Sequence, residues 1–560
     1  MTASDANQLF SRLTSGDGLR RRAVRSAGVT VFAQVVAFSV QMIATVVLAR
    51  LLVPADFGLV AMVTTFSLLL SYVGMIGFPE AVLQREEIDR FLASNLFWIN
   101  LAVGAVLSLG FAAAGSVLAK FYGDIRVERV TFAVSITIFL TCISVIHLAL
   151  LKRAMRFSAV SINDIIARVA SVTISVLLAL AGWGYWALVA GVIAQPLSTA
   201  VGAWVLCRWI PSLPRRVPGT GSMIRFATHV YGSFSVDYCT HNLDNLLVGW
   251  RFGSLPLGFY KKAYELFVLP ANQFLSAFPV AVSTLSRLKR DRAEYRRYLL
   301  AGISILAFAG MGIGADLTLV GKDVVRLLLG PQWSEAGKIF TFFGPGIGIM
   351  LVYRTQGMVH LSLGTTTRFF RWALIEFAVT GSLFFLALRW GPSGIAVAWT
   401  IASWVLVFPA FWYATRPMEF AIADMLATVW KFILASLLAG GGCYVITHRL
   451  PALVARSGAS GALLRIMSDT LLFGGLYFGI VVLLHGGLRP LRQIVGLLRE
   501  LTPSKMFSDH SDGNVPEISS VPDSTVAMAE EKTAASSLAS GSAVAVPFPP
   551  GSKRTSHAGA

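Results

Sequence analysis

Residues 227–262 read ATHVYGSFSVDYCTHNLDNLLVGWRFGSLPLGFYKK. The stretch is long and apolar enough to cross a bilayer, whose hydrocarbon core of roughly 30 Å takes about 20 helical residues. Within it Ser233, Asp237, His241 and Asp244 recur at steps of four, four and three, which puts them on one face of a helix. A polar face is costly against lipid, so this one has to look into protein or a water-filled cavity. The segment therefore belongs to a bundle, and the rest of the chain has to supply the other helices.

It has the material to do so. Of 560 residues, 55% are hydrophobic and only 14% charged, against about a quarter charged in soluble domains. Apolar runs of spanning length recur from near 27–48 to near 468–486, about fourteen in all. The fold class expected is an all-α polytopic membrane protein. The net charge of +18 does not signal nucleic acid, because Lys and Arg gather in short loops and no basic–aromatic face interleaves them. About twice as many fall in alternate segments counted from the N-terminus, and the cluster SRLKRDRAEYRR at 286–297 joins that set. This bias sets both termini in the cytoplasm. Cys142, Cys207, Cys239 and Cys443 stand singly, without metal-ligand spacing or a disulfide framework. No cofactor or metal is expected, and no P-loop, GxSxG, HExxH or CxxC pair is present.

Two stretches 200 residues apart are alike. LARLLVPADFGLVAM at 48–62 follows the first span and VGWRFGSLPLGFYKK at 248–262 follows the seventh, aligning Arg50 with Arg251 and Gly58 with Gly258 across a one-residue gap. ALAGWGYWALVAG before the sixth span and ALRWGPSGIAVAW before the twelfth form a second, weaker match. Two parallel six-helix repeats follow, with a substrate expected between them. The organisation expected is a basic leader (1–26), an N-lobe (27–206), a linker (207–226), a C-lobe (227–415), an added span pair (416–486) and a polar, unstructured tail (487–560). Residues 318–338 are expected as an interfacial turn or short helix joining two spans.

Ionisable groups inside spans are functional candidates, since each costs roughly 2.5–3.5 kcal/mol at a helix centre on insertion scales. Asp237 and His241 have the chemistry to take up and release a proton or small cation; a structural network is the alternative. Asp244, nearer the end of the helix, is read as a cap for the turn leading to Arg251. Arg168 follows Asp164 by four, which allows an ordinary ion pair within the helix or a fork open to phosphate. Arg354 has no acid on its own helix, with Tyr353, Gln356 and His360 nearby, and Glu376 on the next span is a possible partner. Gln34 and Gln41 share one face of the first span, and together with Arg354 and Arg168 form the candidate substrate-binding set. Asn100, Gln195, Asn272 and Gln273 are read first as interhelical hydrogen-bonding groups, and Pro196, Pro270 and Pro279 as bends.

NLDNLLVGWRFGSLPLGFYKKAYELFVLP at 242–270 resembles a stretch characteristic of bacterial polysaccharide transporters, the oligosaccharide flippases of the multidrug/oligosaccharidyl-lipid/polysaccharide exporter superfamily. LARLLVPADFGLVAM resembles their segment joining spans 1 and 2, and FPEAVLQRE at 78–86 is similar to their first cytoplasmic loop. The resemblance covers about 20–415. It implies a non-enzymatic transporter that moves undecaprenyl-pyrophosphate-linked oligosaccharides across the inner membrane by alternating access, for exopolysaccharide or lipopolysaccharide assembly. It implies the bilayer, the lipid-linked oligosaccharide, and the polymerase and export machinery as partners, with no nucleic acid. Asp244, Gly249, Gly258 and Tyr260 fall on its motif and read as architectural. A drug/cation antiporter of the same superfamily, or a membrane polysaccharide polymerase, are the other readings.

Overall fold

The computed structural model describes the backbone of residues 17–75, 88–215, 220–274, 278–418, 420–449 and 459–487, with residues 78, 79 and 82. The tail beyond 487 and the first sixteen residues of the leader lie outside them, as do the side chains of Ser233, Asp237, Pro270, Asn272, Gln273 and Pro279.

Helices are the whole of the described secondary structure, as a bilayer demands of a chain that must satisfy its own backbone groups. In order they are α1 (Asp17–Leu51), α2 (Pro54–Met75), α3 (Arg90–Ala113), the short α4 (Gly115–Tyr122), α5 (Arg126–Arg153), α6 (Phe157–Leu180), α7 (Tyr185–Cys207), α8 (Thr220–Phe252), α9 (Ser254–Phe274), α10 (Phe278–Leu288), α11 (Arg292–Leu329), α12 (Ser334–Leu363), α13 (Thr366–Ala387), α14 (Gly391–Thr415), α15 (Ile422–His448) and α16 (Ala459–His485). Among the described residues eleven segments are long and apolar enough to cross a membrane, one of them holding both α13 and α14. The helices α8 and α9 carry a set of charges, Arg251, Lys261, Lys262 and Glu265.

Several boundaries differ from expectation. The helix α1 starts within the basic leader, α8 starts at Thr220, and residues 318–338 form no separate loop. Instead α11 runs unbroken for 38 residues to Leu329, and a single 3-10 turn, Pro331–Trp333, leads into α12. Gly330, at φ 103°, makes the corner, a conformation that favours glycine. At the other end Asp291 caps α11, its carboxylate accepting from the Ala293 and Glu294 amides at 3.0 Å each.

The repeat is visible in the packing. In the first bundle α1 packs on α6, α2 on α5 and α7, α3 on α5, α5 on α6 and α7, and α6 on α7. Each pair recurs in the second bundle: α8 on α13, α9 on α12 and α14, α11 on α12, α12 on α13 and α14, and α13 on α14. The added pair α15–α16 packs against α11.

The two bundles meet chiefly where α2 crosses α9. A Cβ on Gly58 would collide with the Ser254 carbonyl oxygen, and a Cβ on Gly258 with that of Pro54. Both members of the pair are repeat equivalents, 200 residues apart, so the contact is reciprocal and the crossing lies on the pseudo-twofold axis. Only hydrogen side chains let the backbones approach this closely. The flanks repeat the exchange. Arg50, at the end of α1, donates to Leu327 O (2.6 Å) and Leu328 O (3.1 Å), while the Gln332 and Trp333 side chains donate to Ala49 O at 2.7 and 2.8 Å. In the other direction, the end of α8 reaches the corner after α3: Trp250 stacks on Phe121 at 6.2 Å, and Gly249 leaves room for the Tyr122 ring.

Candidate functional site

His241, on the face that the sequence marks as polar in α8, meets three other helices of the second bundle. His241 lines a cavity with Thr240 from α8, Tyr353 and Arg354 from α12, Glu376 from α13 and Ser403 from α14. Arg354 Nη2 lies 2.8 Å from His241 Nε2; guanidinium always donates, so His241 accepts with that nitrogen. The Trp372 indole donates to the Tyr353 hydroxyl at 2.9 Å, and that hydroxyl hydrogen bonds with Glu376. Two chains, His241–Arg354 and Trp372–Tyr353–Glu376, thus face each other across one space. Glu376 shares the cavity with Arg354, as anticipated, although among the described residues it bonds to Tyr353 and makes no ion pair with the guanidinium.

The cavity holds only ≈ 40 Å³, room for a few waters by the roughly 10–15 Å³ each requires. In this conformation it is closed to anything the size of a sugar. Arg354 is half-buried, with guanidinium donors beyond the one His241 uses. A fixed cation with spare donors in a low-dielectric interior is the arrangement that takes up an anion.

The other candidates lie elsewhere. Arg168 Nε donates to Asp164 at 3.0 Å within α6, and both side chains are substantially exposed, so the helical ion pair is the geometry found. Gln34 is exposed and Gln41 half-buried on α1, and among the described residues neither lines the Arg354 cavity. Asn100 donates to Cys142 O at 2.7 Å, an interhelical bond. Gln356 and His360 are buried on α12; His360 Nδ1 is 2.9 Å from Thr365 Oγ1, which ties it to the helix end.

Asp244 is a correction. It caps no turn: it is 1% exposed and its carboxylate accepts from the fully buried Tyr260 hydroxyl at 2.8 Å, joining α8 to α9. Lys262 was not among the sequence candidates. Because α9 begins at Ser254, Lys262 lies two turns inside the helix, donates to Glu265 at 2.7 Å, and sits 4.4 Å over the Phe57 ring of the first bundle. The signal for it was available, since Lys and Glu three apart in a helix pair, but a hydropathy window starting after Lys262 hides it.

A family described as polysaccharide biosynthesis protein matches residues 47–338. The chain belongs to this family. The matched range holds both repeat joints, 48–62 and 248–262, and ends before Arg354. Among relatives of this polysaccharide biosynthesis protein, the succinoglycan biosynthesis transport protein ExoT of Rhizobium meliloti (strain 1021) is 25% identical over 429 residues, covering 73% of this chain and 86% of ExoT. The lipopolysaccharide biosynthesis protein WzxC of Escherichia coli (strain K12) is 22% identical over 332 residues, 57% of this chain and 65% of WzxC. In fold, the chain is similar to the lipid II flippase MurJ in an inward closed conformation, with a TM-score of 0.64 at 15% identity over 81% of this chain and 98% of MurJ. An inward-facing multidrug resistance MATE transporter gives 0.57 at 12% identity, over 68% and 94%. The architecture is that of these transporters.

Proposed function

We propose that this protein is a flippase carrying undecaprenyl-pyrophosphate-linked oligosaccharide repeat units across the bacterial inner membrane, for exopolysaccharide or lipopolysaccharide assembly. Both termini face the cytoplasm in this reading, and polymerase and export machinery receive the product. The observation that carries it is the reciprocal Gly58–Gly258 joint. Two equivalent bundles sealed against each other at one place on their common axis can rock about it, exposing the space between them to one side and then the other. Family membership and the transport and lipopolysaccharide roles in the names of ExoT and WzxC give the cargo class.

Arg354 contacts the pyrophosphate or an acidic sugar once the cavity opens; Arg168, Gln34 and Gln41, the other sequence candidates, do not line its cavity. Asp237 and His241 couple transport to an ion. The His241–Arg354 bond links the two jobs, because a cation taken up by His241 removes the acceptor that holds the guanidinium and frees it for an anion.

The test is complementation of an export-deficient strain. Arg354→Ala should abolish polymer export at normal protein level in the membrane, and Arg354→Lys should recover it only in part, since ammonium cannot reproduce the fork. Normal export from Arg354→Ala would sink the assignment. The MATE likeness raises a drug/cation antiporter as the second reading; it requires drug sensitivity in the knockout and export unaffected by either arginine.

A further inference from the structure

A larger cavity, ≈ 670 Å³, opens where α11, α12 and α14 meet the added pair α15–α16. Its size falls in the range of ligand sites, roughly 300–1,000 Å³. Leu319, Phe342, Pro345 and Val397 give it apolar walls, and Lys322, His448 and Asp469 bring ionisable groups into it. Lys322 precedes the end of α11 at Leu329 by seven residues, about 10 Å along the axis, and Asp469 lies ten residues into α16, about 15 Å. His448 closes α15. All three thus lie within about three turns of the ends of helices of spanning length, where ionisable side chains are a functional signal. The mouth opens on the outside of the helices, where the lining residues Phe342 and Tyr444 are 42% and 55% exposed.

Asp469 has charged neighbours in Arg465, His448 and Asp323. Arg465 satisfies Asp323 with two bonds, 2.6 and 3.0 Å. Lys322 and Asp469 line the space without an ion pair between them among the described residues. Behind Asp469, Asp316 accepts from Thr470 at 3.1 Å, and its other oxygen is buried with no partner among the described residues. Hydroxyls of Thr318, Thr341, Thr400 and Thr447 complete the lining. A ligand matching this has a phosphate for Lys322 and the hydroxyls, a hydrogen-bonding ammonium for Asp469, and an apolar body for the mouth. An anionic headgroup would leave the Asp469 carboxylate facing negative charge, and a quaternary ammonium has no N–H to give.

We propose that the cavity between α11 and the α15–α16 pair is a binding site for the zwitterionic headgroup of a primary-amine phospholipid, its ammonium on Asp469 and its phosphate on Lys322. The site is independent of the Arg354 cavity, and its test reads lipid, not export. The full-length protein in nanodiscs of equimolar phosphatidylethanolamine, phosphatidylglycerol and phosphatidylcholine is released into native mass spectrometry and its retained lipids are counted. Phosphatidylethanolamine should be retained about tenfold over the other two, the value of one charge-assisted hydrogen bond. Asp469→Asn should erase its advantage over phosphatidylcholine, and Lys322→Gln should lower retention of all three, in preparations that stay monodisperse. Equal retention by the wild type, a preference over phosphatidylcholine that survives Asp469→Asn, or retention unchanged by Lys322→Gln overturns the proposal. Should Asp469→Asn fail to fold, Lys322→Gln, at an exposed position, decides alone. Displacement by free phosphoethanolamine without acyl chains would also overturn it, assigning the site to a soluble zwitterion.

Discussion

Residues 50–65 and 250–265 do the same architectural work twice, and they differ in charge. In each, a helix ends, the chain turns, and the next helix drives a glycine onto its twin across the axis. One turn on, the copies part. Ala61, Met62 and Thr65 on α2 correspond to Lys261, Lys262 and Glu265 on α9. The reciprocal contacts make the difference plain: Phe57 of the first bundle meets the Lys262 ammonium, whereas its equivalent Leu257 packs beside Met62 around Gly249. Positions that touch the axis are held alike by packing. Positions one step off it are free to diverge, and the second bundle, which also holds the His241–Arg354 cavity, is where the charge accumulates.

The strongest way to break this symmetry is at its centre. Gly58→Ala with Gly258→Ala forces two methyl groups into opposing carbonyls, and overpacking of this kind costs about 1–3 kcal/mol per site. A loss on the order of 4 kcal/mol, with the bundles held apart, should abolish export and lower the melting temperature. Spin labels on α2 and α9 would report the separation. Unchanged distances would mean that the helices already slide at this point and that the joint is no pivot.

The next effect is smaller and tests the asymmetry itself. Lys262→Met recreates the residue found at 62 but strands Glu265, and breaking a largely buried pair costs about 3 kcal/mol. Adding Glu265→Gln should return most of that, because the second joint then resembles the first. Chemical denaturation of the three variants in detergent gives the cycle. If the double variant is as unstable as the single one, the pair is not what stabilises the α9 face. If it is stable yet inactive, the charge serves transport.

What the sequence offered to a reader follows the same division. The repeat was legible because glycines on an axis leave a spacing, 58 and 258, that survives divergence. The joining of His241 to Arg354 and the sharing of one cavity with Glu376 were only half legible: each residue stands out as polar in an apolar run, but 113 residues separate the first two and nothing local says which faces coincide. Asp244 was misread for a related reason. A carboxylate near a helix end looks like a cap until the partner 16 residues on, Tyr260, is seen to fold back over it. Lys262 escaped notice because a window that rewards apolar residues passes over lysines inside a helix that begins at Ser254.

Arg168 gives the smallest expected effect and the sharpest contrast with Arg354. Both are arginines within spans, and the sequence alone makes both candidates for an anion. Arg168 spends its guanidinium on Asp164 one turn back, with a third of its side chain exposed and almost half of its partner's. Exposed pairs of this sort contribute about 0–1 kcal/mol, and Arg168 does not line the Arg354 cavity. Arg354 is held by His241 in a cavity instead and makes no ion pair among the described residues. Arg168→Ala should therefore leave stability within about 0.5 kcal/mol and export near the wild-type level. A defect as deep as that of Arg354→Ala, at equal protein level, would place a substrate contact in the first bundle as well and make the division of labour between the repeats less complete than their charges imply.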